Sequence, residues 1–279
     1  MAHEPAEKDG LRNAWGRVAE VYGSMWADRT AHVSGRGLDL LAPEPGARGV
    51  DVACGPGHTT AALAERLGGG RALGVDFAPE MVARASARFA DRDDVTFAVD
   101  DAERLSLAPG SADVLSCSFG LMYCYDAAAA LHSAGRTLRP GGRMLQVVWG
   151  RAANVWWVPV IELIESRAEY FSAVCPMMFF YGLPGVMPRM VDEAGLDLVE
   201  QVTMTTSMAF PGVDDAVETA IHGGPLAGLY RHRLDAGAQA EVREALRAHV
   251  EGLASADGDG IRLPAEASLT VAARPAGMT

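Results

Sequence analysis

Residues 49–57 read Gly-Val-Asp-Val-Ala-Cys-Gly-Pro-Gly, and this stretch decides the fold. Its apolar, β-branched start is typical of a buried strand, and a helical pattern begins at Thr59. Glycines at a strand-to-helix turn let a ligand approach the backbone closely, at the helix N-terminus. A dinucleotide-binding loop carries a third glycine three residues after Gly57, but this chain has Thr60 there. The stretch predicts a ligand site at this turn and disfavours an NAD-dependent oxidoreductase.

Short apolar runs alternate with helical patterns on both sides of this turn. The strand candidates are residues 50–53, 72–77, 95–99, 114–119 and 144–149. Helical patterns cover residues 59–67, followed by three glycines, and 80–89, preceded by Pro79. Strands alternating with helices at this spacing imply right-handed crossovers and helices on both faces of a parallel sheet. The predicted fold class is α/β, with a doubly wound, Rossmann-like, mostly parallel sheet.

Further elements are expected on either side of this core. Apolar residues recur every three or four positions from Leu11 to Trp26, which predicts an amphipathic helix. Aromatic and Met residues crowd into residues 156–190, which we interpret as a helical insertion. Helices are predicted over 186–194 and 235–253, and strands over 196–207 and 267–273. We divide the chain into a helical lid (1–40), a ligand-binding core (41–150), a helical acceptor-binding cap interleaved with core elements (151–260) and a closing strand (261–279).

Composition narrows the class of protein. The chain has 279 residues, of which 49% are hydrophobic and 22% charged, the balance of a globular protein. Its formal net charge of −12 disfavours nucleic acid as a partner, because phosphate backbones are bound by clustered Lys and Arg. Four cysteines form no CxxC pair, and no run of about 18 apolar residues occurs. We expect a reduced, cytoplasmic protein with neither a metal site nor a membrane partner.

A carboxylate is placed to bind a ribose. Asp76 follows Gly57 by nineteen residues, in Gly74-Val-Asp-Phe77, at the end of the second predicted strand. An acid at this distance accepts hydrogen bonds from a ribose diol. By itself, this feature suits NAD and adenosyl ligands alike.

Four motifs in order resemble those of the class I methyltransferases. Residues 49–57 resemble the family's first motif, although Ala53 stands where the family usually has glycine. Asp101-Ala-Glu-Arg-Leu105 resembles the third motif, residues 111–120 resemble the fourth, and Leu138-Arg-Pro-Gly-Gly142 resembles the turn before the fifth strand. The order and residues of these motifs are most similar to those of the ubiquinone/menaquinone-biosynthesis-like group of small-molecule methyltransferases. This resemblance implies a seven-stranded sheet and the cofactor S-adenosyl-L-methionine, with S-adenosyl-L-homocysteine as its product.

The resemblance also implies a set of cofactor-binding residues. Asp76 would hold the ribose hydroxyls, Asp101 would accept from the adenine amino group, and Ser118 would face the methionine end. The expected cofactor-binding residues are Tyr22, Asp51, Ala53, Cys54, Gly55, Gly57, Asp76, Phe77, Met81, Asp101, Ala102 and Ser118.

The sequence specifies the acceptor of the methyl group less closely than it specifies the cofactor. Positioning dominates the transfer of an activated sulfonium methyl, so a general base is helpful but not required. Tyr123, Tyr181 and His222 are the candidate catalytic residues, and the aromatic insertion favours a small apolar or aromatic acceptor. The insertion offers, alternatively, a homo-oligomer interface. A cofactor-bound cyclase and a protein or tRNA methyltransferase are the alternative functions.

Overall fold

In a computed structural model of the chain, which describes residues 5–169 and 175–277, eight strands form one sheet. The strands are β1 (Arg48–Val52), β2 (Arg71–Asp76), β3 (Val95–Val99), β4 (Ala112–Ser118), β5 (Leu138–Trp149), β6 (Asp197–Phe210), β7 (Ser255–Asp257) and β8 (Gly260–Ala273). Their order is β3-β2-β1-β4-β5-β8-β6, with β7 paired to β8. The first five strands are parallel, and β8 is antiparallel to both β5 and β6. The predicted doubly wound fold is confirmed.

Ten helices accompany the sheet in the described residues. They are α1 (Pro5–Tyr22), α2 (Asp28–Leu41), α3 (His58–Arg66), α4 (Pro79–Arg88), α5 (Ala127–Thr137), α6 (Pro159–Ala168), α7 (Val186–Glu193), α8 (Val213–His222), α9 (Ala227–Arg233) and α10 (Ala236–Leu253). A π-helical turn, Gly23–Ala27, joins α1 to α2. The chain order reverses between β1 and β4, and ligands of doubly wound sheets bind at the carboxyl ends of the strands beside such a point.

The strand count differs from the expected seven. The additional strand, β7, has three residues and forms a hairpin with the start of β8, where Asp257 pairs with Gly260. Gly258 turns this hairpin with a φ of +58°. The strand β8 begins at Gly260, one residue before the predicted closing segment and seven before the predicted strand at 267–273, because the residues from Ile261 onward also pair with β6.

The predicted turn before the fifth strand lies inside β5. Leu138 pairs with Ala112 and Arg143 pairs with Val114, so several residues of β5 oppose one residue of β4. Gly141, within this bulge, has a φ of +75°, a conformation that glycine adopts at no steric penalty. The sequence motif therefore marks a bulge in a continuous strand.

A buried carboxylate ties the insertion to the closing strand. Glu266 in β8 is 2% exposed and accepts from the backbone N–H of Arg151 at 2.9 Å. It also accepts from the Arg151 guanidinium at 3.0 Å and from the Asn154 amide at 2.6 Å. Hydrogen bonds from Arg151 lower the pKa of Glu266 to about 2, although burial opposes the shift. These hydrogen bonds to Glu266 therefore fix the position of the residues that follow β5.

Candidate functional site

Asp51 lies in β1, just before the glycine turn, and its carboxylate is hydrogen-bonded inside the protein. Its side chain is 1% exposed, and the hydroxyls of Thr60 and Ser116 each donate to one of its carboxylate oxygens at 2.7 Å. Burial raises the pKa of Asp51 to about 6, and the two hydroxyl donors oppose that shift. This carboxylate joins β1 to α3 and β4.

The glycines of the turn have different roles. Gly57 has a φ of +85°, and a Cβ there would lie 2.9 Å from the Phe97 ring. Glycine is needed at this position because any side chain would clash with that ring. Gly55 has a φ of +53°, but a Cβ there would meet only the ring of Tyr22, at 3.8 Å. Gly55 therefore borders open space. Ala53 also adopts a positive φ, +55°, where a β-carbon costs about 1 kcal/mol.

Asp76 stands at the end of β2, facing this turn. Its carboxylate accepts from the backbone N–H groups of Gly55 and Ala78, each at 2.9 Å. Each carboxylate oxygen has two lone pairs, so Asp76 keeps capacity to accept from a ligand. The side chain is 6% exposed, and burial raises its pKa to about 6 against the opposing backbone donors.

These groups line a cavity of about 700 Å³, which we call the polar cavity. Its lining residues are Lys8, Trp15, Tyr22, Ala53, Gly55, Asp76, Phe77, Met81, Asp100, Asp101, Ala102, Glu103, Ser118, Phe119, Gly120, Tyr123, Cys124 and Tyr125. Nine of the twelve expected cofactor-binding residues are among them. The other three, Asp51, Cys54 and Gly57, belong to the turn itself, outside this lining.

Helix α1 closes one side of the polar cavity. The Lys8 ammonium lies 2.6 Å from the Asp101 carboxylate and 2.7 Å from that of Glu103. Glu103 also accepts from the backbone N–H of Tyr125 at 2.8 Å. One basic side chain thus connects α1 to the segment after β3.

A second cavity, of about 580 Å³, adjoins the first, and we call it the aromatic cavity. Its lining residues are Trp15, Tyr22, Trp26, Thr30, Phe119, Met122, Tyr123, Trp149, Trp157, Val160, Ile161, Met178, Ala220, Gly223, Gly224, Pro225 and Leu226. Among the described residues, no charged side chain belongs to this lining. Four residues, Trp15, Tyr22, Phe119 and Tyr123, line both cavities and form the boundary between them.

Phe119 is held firmly at this boundary. It has a φ of +58°, which is unusual for a bulky residue. Its N–H donates to the Val147 carbonyl at 2.8 Å, and its ring lies 4.4 Å from that of Trp149. Strained residues of this kind concentrate at functional sites.

A third cavity, of about 520 Å³, lies between α2 and the glycine turn. It shares Tyr22, Ala53, Gly55, Ser118 and Phe119 with the polar cavity, and its lining includes Cys54. The Ser118 hydroxyl is buried and has no hydrogen-bond partner among the residues that the structure describes. A polar group without a partner at this place fits a ligand with a polar end.

The three candidate catalytic residues occupy different surroundings. Tyr123 borders both cavities, its hydroxyl donates to Met178 Sδ at 3.4 Å, and its ring makes an edge contact with Trp15. Tyr181 lies outside both linings, and burial raises its pKa to about 12. His222 lies outside both as well. Its ring packs on Tyr230 beside Glu218, and burial lowers its pKa.

Sequence reasoning missed several lining residues. Trp15 lies on the same helix face as Tyr22, and this spacing was the available signal. Phe119 and Glu103 each lie within a motif whose other residues were chosen. Trp157 lies in the aromatic stretch 156–190 that was assigned to the acceptor cap, although it was not singled out within that stretch. Lys8 carries no local signal, because its position depends on tertiary packing.

Within residues 5–169 and 175–277, no group of three or more His, Cys, Asp and Glu side chains is arranged to hold a metal ion. In the same part of the chain, every helix is too short or too polar to cross a bilayer.

The parallel β3-β2-β1-β4-β5 order, the antiparallel β8 and β6, the glycine turn and the acid after β2 together define the class I methyltransferase architecture. A family profile described as a methyltransferase domain matches residues 50–142. The YcgJ protein from Bacillus subtilis has a similar fold, with a TM-score of 0.59 and 17% identity, over 88% of this chain and 100% of that one.

Sequence relatives specify the family. The chain is 41% identical to demethylmenaquinone methyltransferase from Beutenbergia cavernae over 147 residues, which are 48% of this chain and 59% of the relative. It is 32% identical to ubiquinone/menaquinone biosynthesis C-methyltransferase UbiE from Caulobacter sp. over 183 residues, 61% of this chain and 69% of the relative. The match thus spans between half and about two thirds of these relatives' lengths. The chain belongs to the S-adenosylmethionine-dependent methyltransferases of the UbiE-like kind, so the predicted resemblance is confirmed.

Proposed function

We propose that this chain transfers a methyl group from S-adenosylmethionine to a small, neutral, aromatic or otherwise apolar metabolite. One observation carries the proposal: a polar cavity and an aromatic cavity meet at the wall formed by Trp15, Tyr22, Phe119 and Tyr123. Two reactants bound on either side of a common boundary are brought into contact there. The relatives named above support the reaction class.

The polar cavity fits the cofactor, which supplies an activated sulfonium methyl when bound. Asp76 would accept from the ribose hydroxyls, and Asp101 and Ala102 would contact the adenine. Met81 is 2% exposed and lies with Phe77 in the lining, where both would flank the ring. Gly55 would border the methionine end, together with the Ser118 hydroxyl, which lacks a hydrogen-bond partner within the described ranges.

The chain's own contribution is orientation and exclusion of water. Aligned reactants gain effective molarities of about 10⁵ to 10⁸ M, whereas a placed base adds roughly 10² to 10⁴-fold. The rings at the boundary are large and packed on one another, with Trp15 and Tyr123 centroids 4.8 Å apart. Tyr123 is one of the two phenols that line both cavities, with Tyr22, and is the residue we propose to contact the acceptor.

A homo-oligomer formed through the insertion and a cytoplasmic location remain predictions.

Electrostatics restrict the acceptor. A charged molecule would lose its hydration in the aromatic cavity without an ionic partner, at a penalty of several kcal/mol. The net charge of −12 further disfavours a polyanion. A neutral ring fits the cavity.

Transfer of labelled methyl groups tests the proposal. The chain would be incubated with methyl-labelled S-adenosylmethionine and with matched neutral and carboxylated aromatic acceptors. We expect label in the neutral acceptors only. Tight cofactor binding without label in any acceptor would favour the cyclase alternative, and transfer chiefly to tRNA or protein would contradict the acceptor class.

Cofactor affinity should depend on pH through Asp76. Its pKa of about 6 belongs to the unliganded protein. Hydrogen bonds donated by ribose hydroxyls favour the ionised carboxylate, so binding lowers this pKa and releases a proton below pH 6. The Kd for S-adenosylhomocysteine should therefore fall by about fivefold between pH 5 and 6, and then level off above pH 7. Titration calorimetry measures this slope, and Asp76→Asn should remove it; a flat wild-type profile would contradict the assignment.

A further inference from the structure

One residue that lines the aromatic cavity carries a hydrogen-bond donor without a partner in the described part of the chain. Trp157 is 6% exposed and belongs to the cavity lining. Its indole Nε1 is buried and has no hydrogen-bond partner among the residues that the structure describes. The preceding residue differs, because the Trp156 indole donates to Met208 Sδ at 3.5 Å. Buried indole N–H groups usually have a partner, and an unpaired buried donor is unfavourable.

Neighbouring rings hold this indole in place. Its centroid lies 5.5 Å from that of Trp26, 5.9 Å from that of Trp149 and 5.4 Å from that of Phe179. The first two contacts are edge contacts, with interplanar angles of 72°. A donor on a side chain packed in this way loses little conformational entropy when it binds a ligand.

The wall around the indole offers few polar partners. The Thr30 hydroxyl donates to the Trp26 carbonyl at 3.0 Å, and the Tyr123 hydroxyl donates to Met178 Sδ. An ordered buried water needs two to four polar partners. A ligand oxygen carried on an apolar ring satisfies the indole while the ring fills the remaining space.

We propose that the Trp157 indole N–H orients the methyl acceptor by donating a hydrogen bond to its oxygen. This inference rests on the proposed function, because it takes the aromatic cavity as the acceptor site. The acceptor class is thereby narrowed to a planar apolar molecule with a carbonyl or hydroxyl oxygen. Trp157 is a positioning residue, since the donated hydrogen bond sets which edge of the acceptor faces the boundary residues.

A matched pair of probes isolates this hydrogen bond. 1-Tetralone and tetralin share a bicyclic skeleton, and only the ketone has an oxygen. Calorimetry on the protein loaded with S-adenosylhomocysteine should show tetralone binding roughly tenfold more tightly than tetralin. Equal affinities in the wild type would overturn the inference, because the indole would then be satisfied by a ring face or by water.

Two variants separate the donor from the ring. Trp157→Phe keeps an aromatic ring and removes the N–H, so the tetralone preference should disappear. Trp26→Phe removes a similar area from the same wall and keeps the Trp157 donor, so both probes should weaken together and the preference should persist. A preference retained in Trp157→Phe would overturn the inference.

A spectroscopic measurement on the wild type guards against misfolding of the variant. The chain has five tryptophans, so ¹⁵N-labelled protein gives five indole N–H signals. Tetralone should move one of them downfield, and tetralin should not; an unmoved set with tetralone bound would overturn the inference. Failure of the proposed function is distinguishable, because it would appear as absent S-adenosylhomocysteine binding or as absent methyl transfer, whereas the same calorimetry repeated on the protein without S-adenosylhomocysteine still measures the tetralone preference.

Discussion

Asp76→Ala should weaken the binding of S-adenosylhomocysteine by at least about 100-fold, because it removes two charge-assisted hydrogen bonds to the ribose. The same change removes a carboxylate that burial disfavours, since its pKa is raised to about 6. Loss of the acceptor for the Gly55 and Ala78 N–H groups partly offsets that gain in stability. The variant should therefore stay folded. Titration calorimetry gives the affinity and thermal unfolding gives the stability.

Asp51→Asn is the matched comparison for this prediction. Asp51 is also buried, has a similarly raised pKa and lies outside the polar cavity lining. An asparagine at this position can still pair with the hydroxyls of Thr60 and Ser116, by donating to one and accepting from the other. Its affinity loss should be at most a few-fold. Equal losses in the two variants would mean that Asp76 acts through the local charge rather than by contact.

Gly55→Ala should abolish measurable cofactor binding while leaving the fold intact. The added methyl would stand in the open space beside Tyr22, 3.8 Å from its ring, where the cofactor is expected. Its positive φ of +53° adds a conformational penalty of about 1 kcal/mol, which the chain already tolerates at Ala53. The affinity loss should thus greatly exceed the loss of stability.

Gly46→Ala controls for that conformational penalty. Gly46 has a φ of +77°, and a Cβ there would meet no atom within 4 Å. It lies in the turn before β1, outside the three cavities. Both variants should unfold at similarly lowered temperatures, but only Gly55→Ala should lose binding. Normal binding by Gly55→Ala would place the cofactor elsewhere.

Local sequence pattern predicted the core elements because each has an unambiguous local signal. The first five strands are β-branched runs between turns, and the observed β3 coincides with its predicted range. Helix α1 begins at Pro5, earlier than predicted, because its polar first turn has no apolar periodicity. Helix α5 begins with four alanines, which show no contrast between a buried and an exposed face, so the sequence gives no local signal for its bounds.

The site was predictable where a strand end fixes the residue. Asp76 falls at the end of β2, and its contact with Gly55 follows from the parallel pairing of β1 with β2. Asp51 was expected to bind the cofactor, but the structure places its carboxylate between the hydroxyls of Thr60 and Ser116. Thr60 occupies the position at which a dinucleotide-binding loop has its third glycine, and its hydroxyl donates to Asp51. A hydroxyl side chain at this position was the sequence feature that pointed to a hydrogen bond within the protein.

Long-range contacts account for what local pattern does not predict. Lys8 meets Asp101 across 93 residues of sequence, and no spacing rule connects them. The Trp157 indole has no partner among the residues that the structure describes, whereas the Trp156 indole donates to Met208. Both tryptophans look alike in the sequence.

Crystals soaked with S-adenosylhomocysteine, and separately with NADH, test the central claim most directly. We predict electron density for the adenosyl group in the polar cavity, with the ribose hydroxyls on the Asp76 carboxylate and the sulfur facing the boundary of Tyr22, Phe119 and Tyr123. NADH should leave the same cavity without density. An empty polar cavity after the first soak, or NADH bound there, would contradict the account.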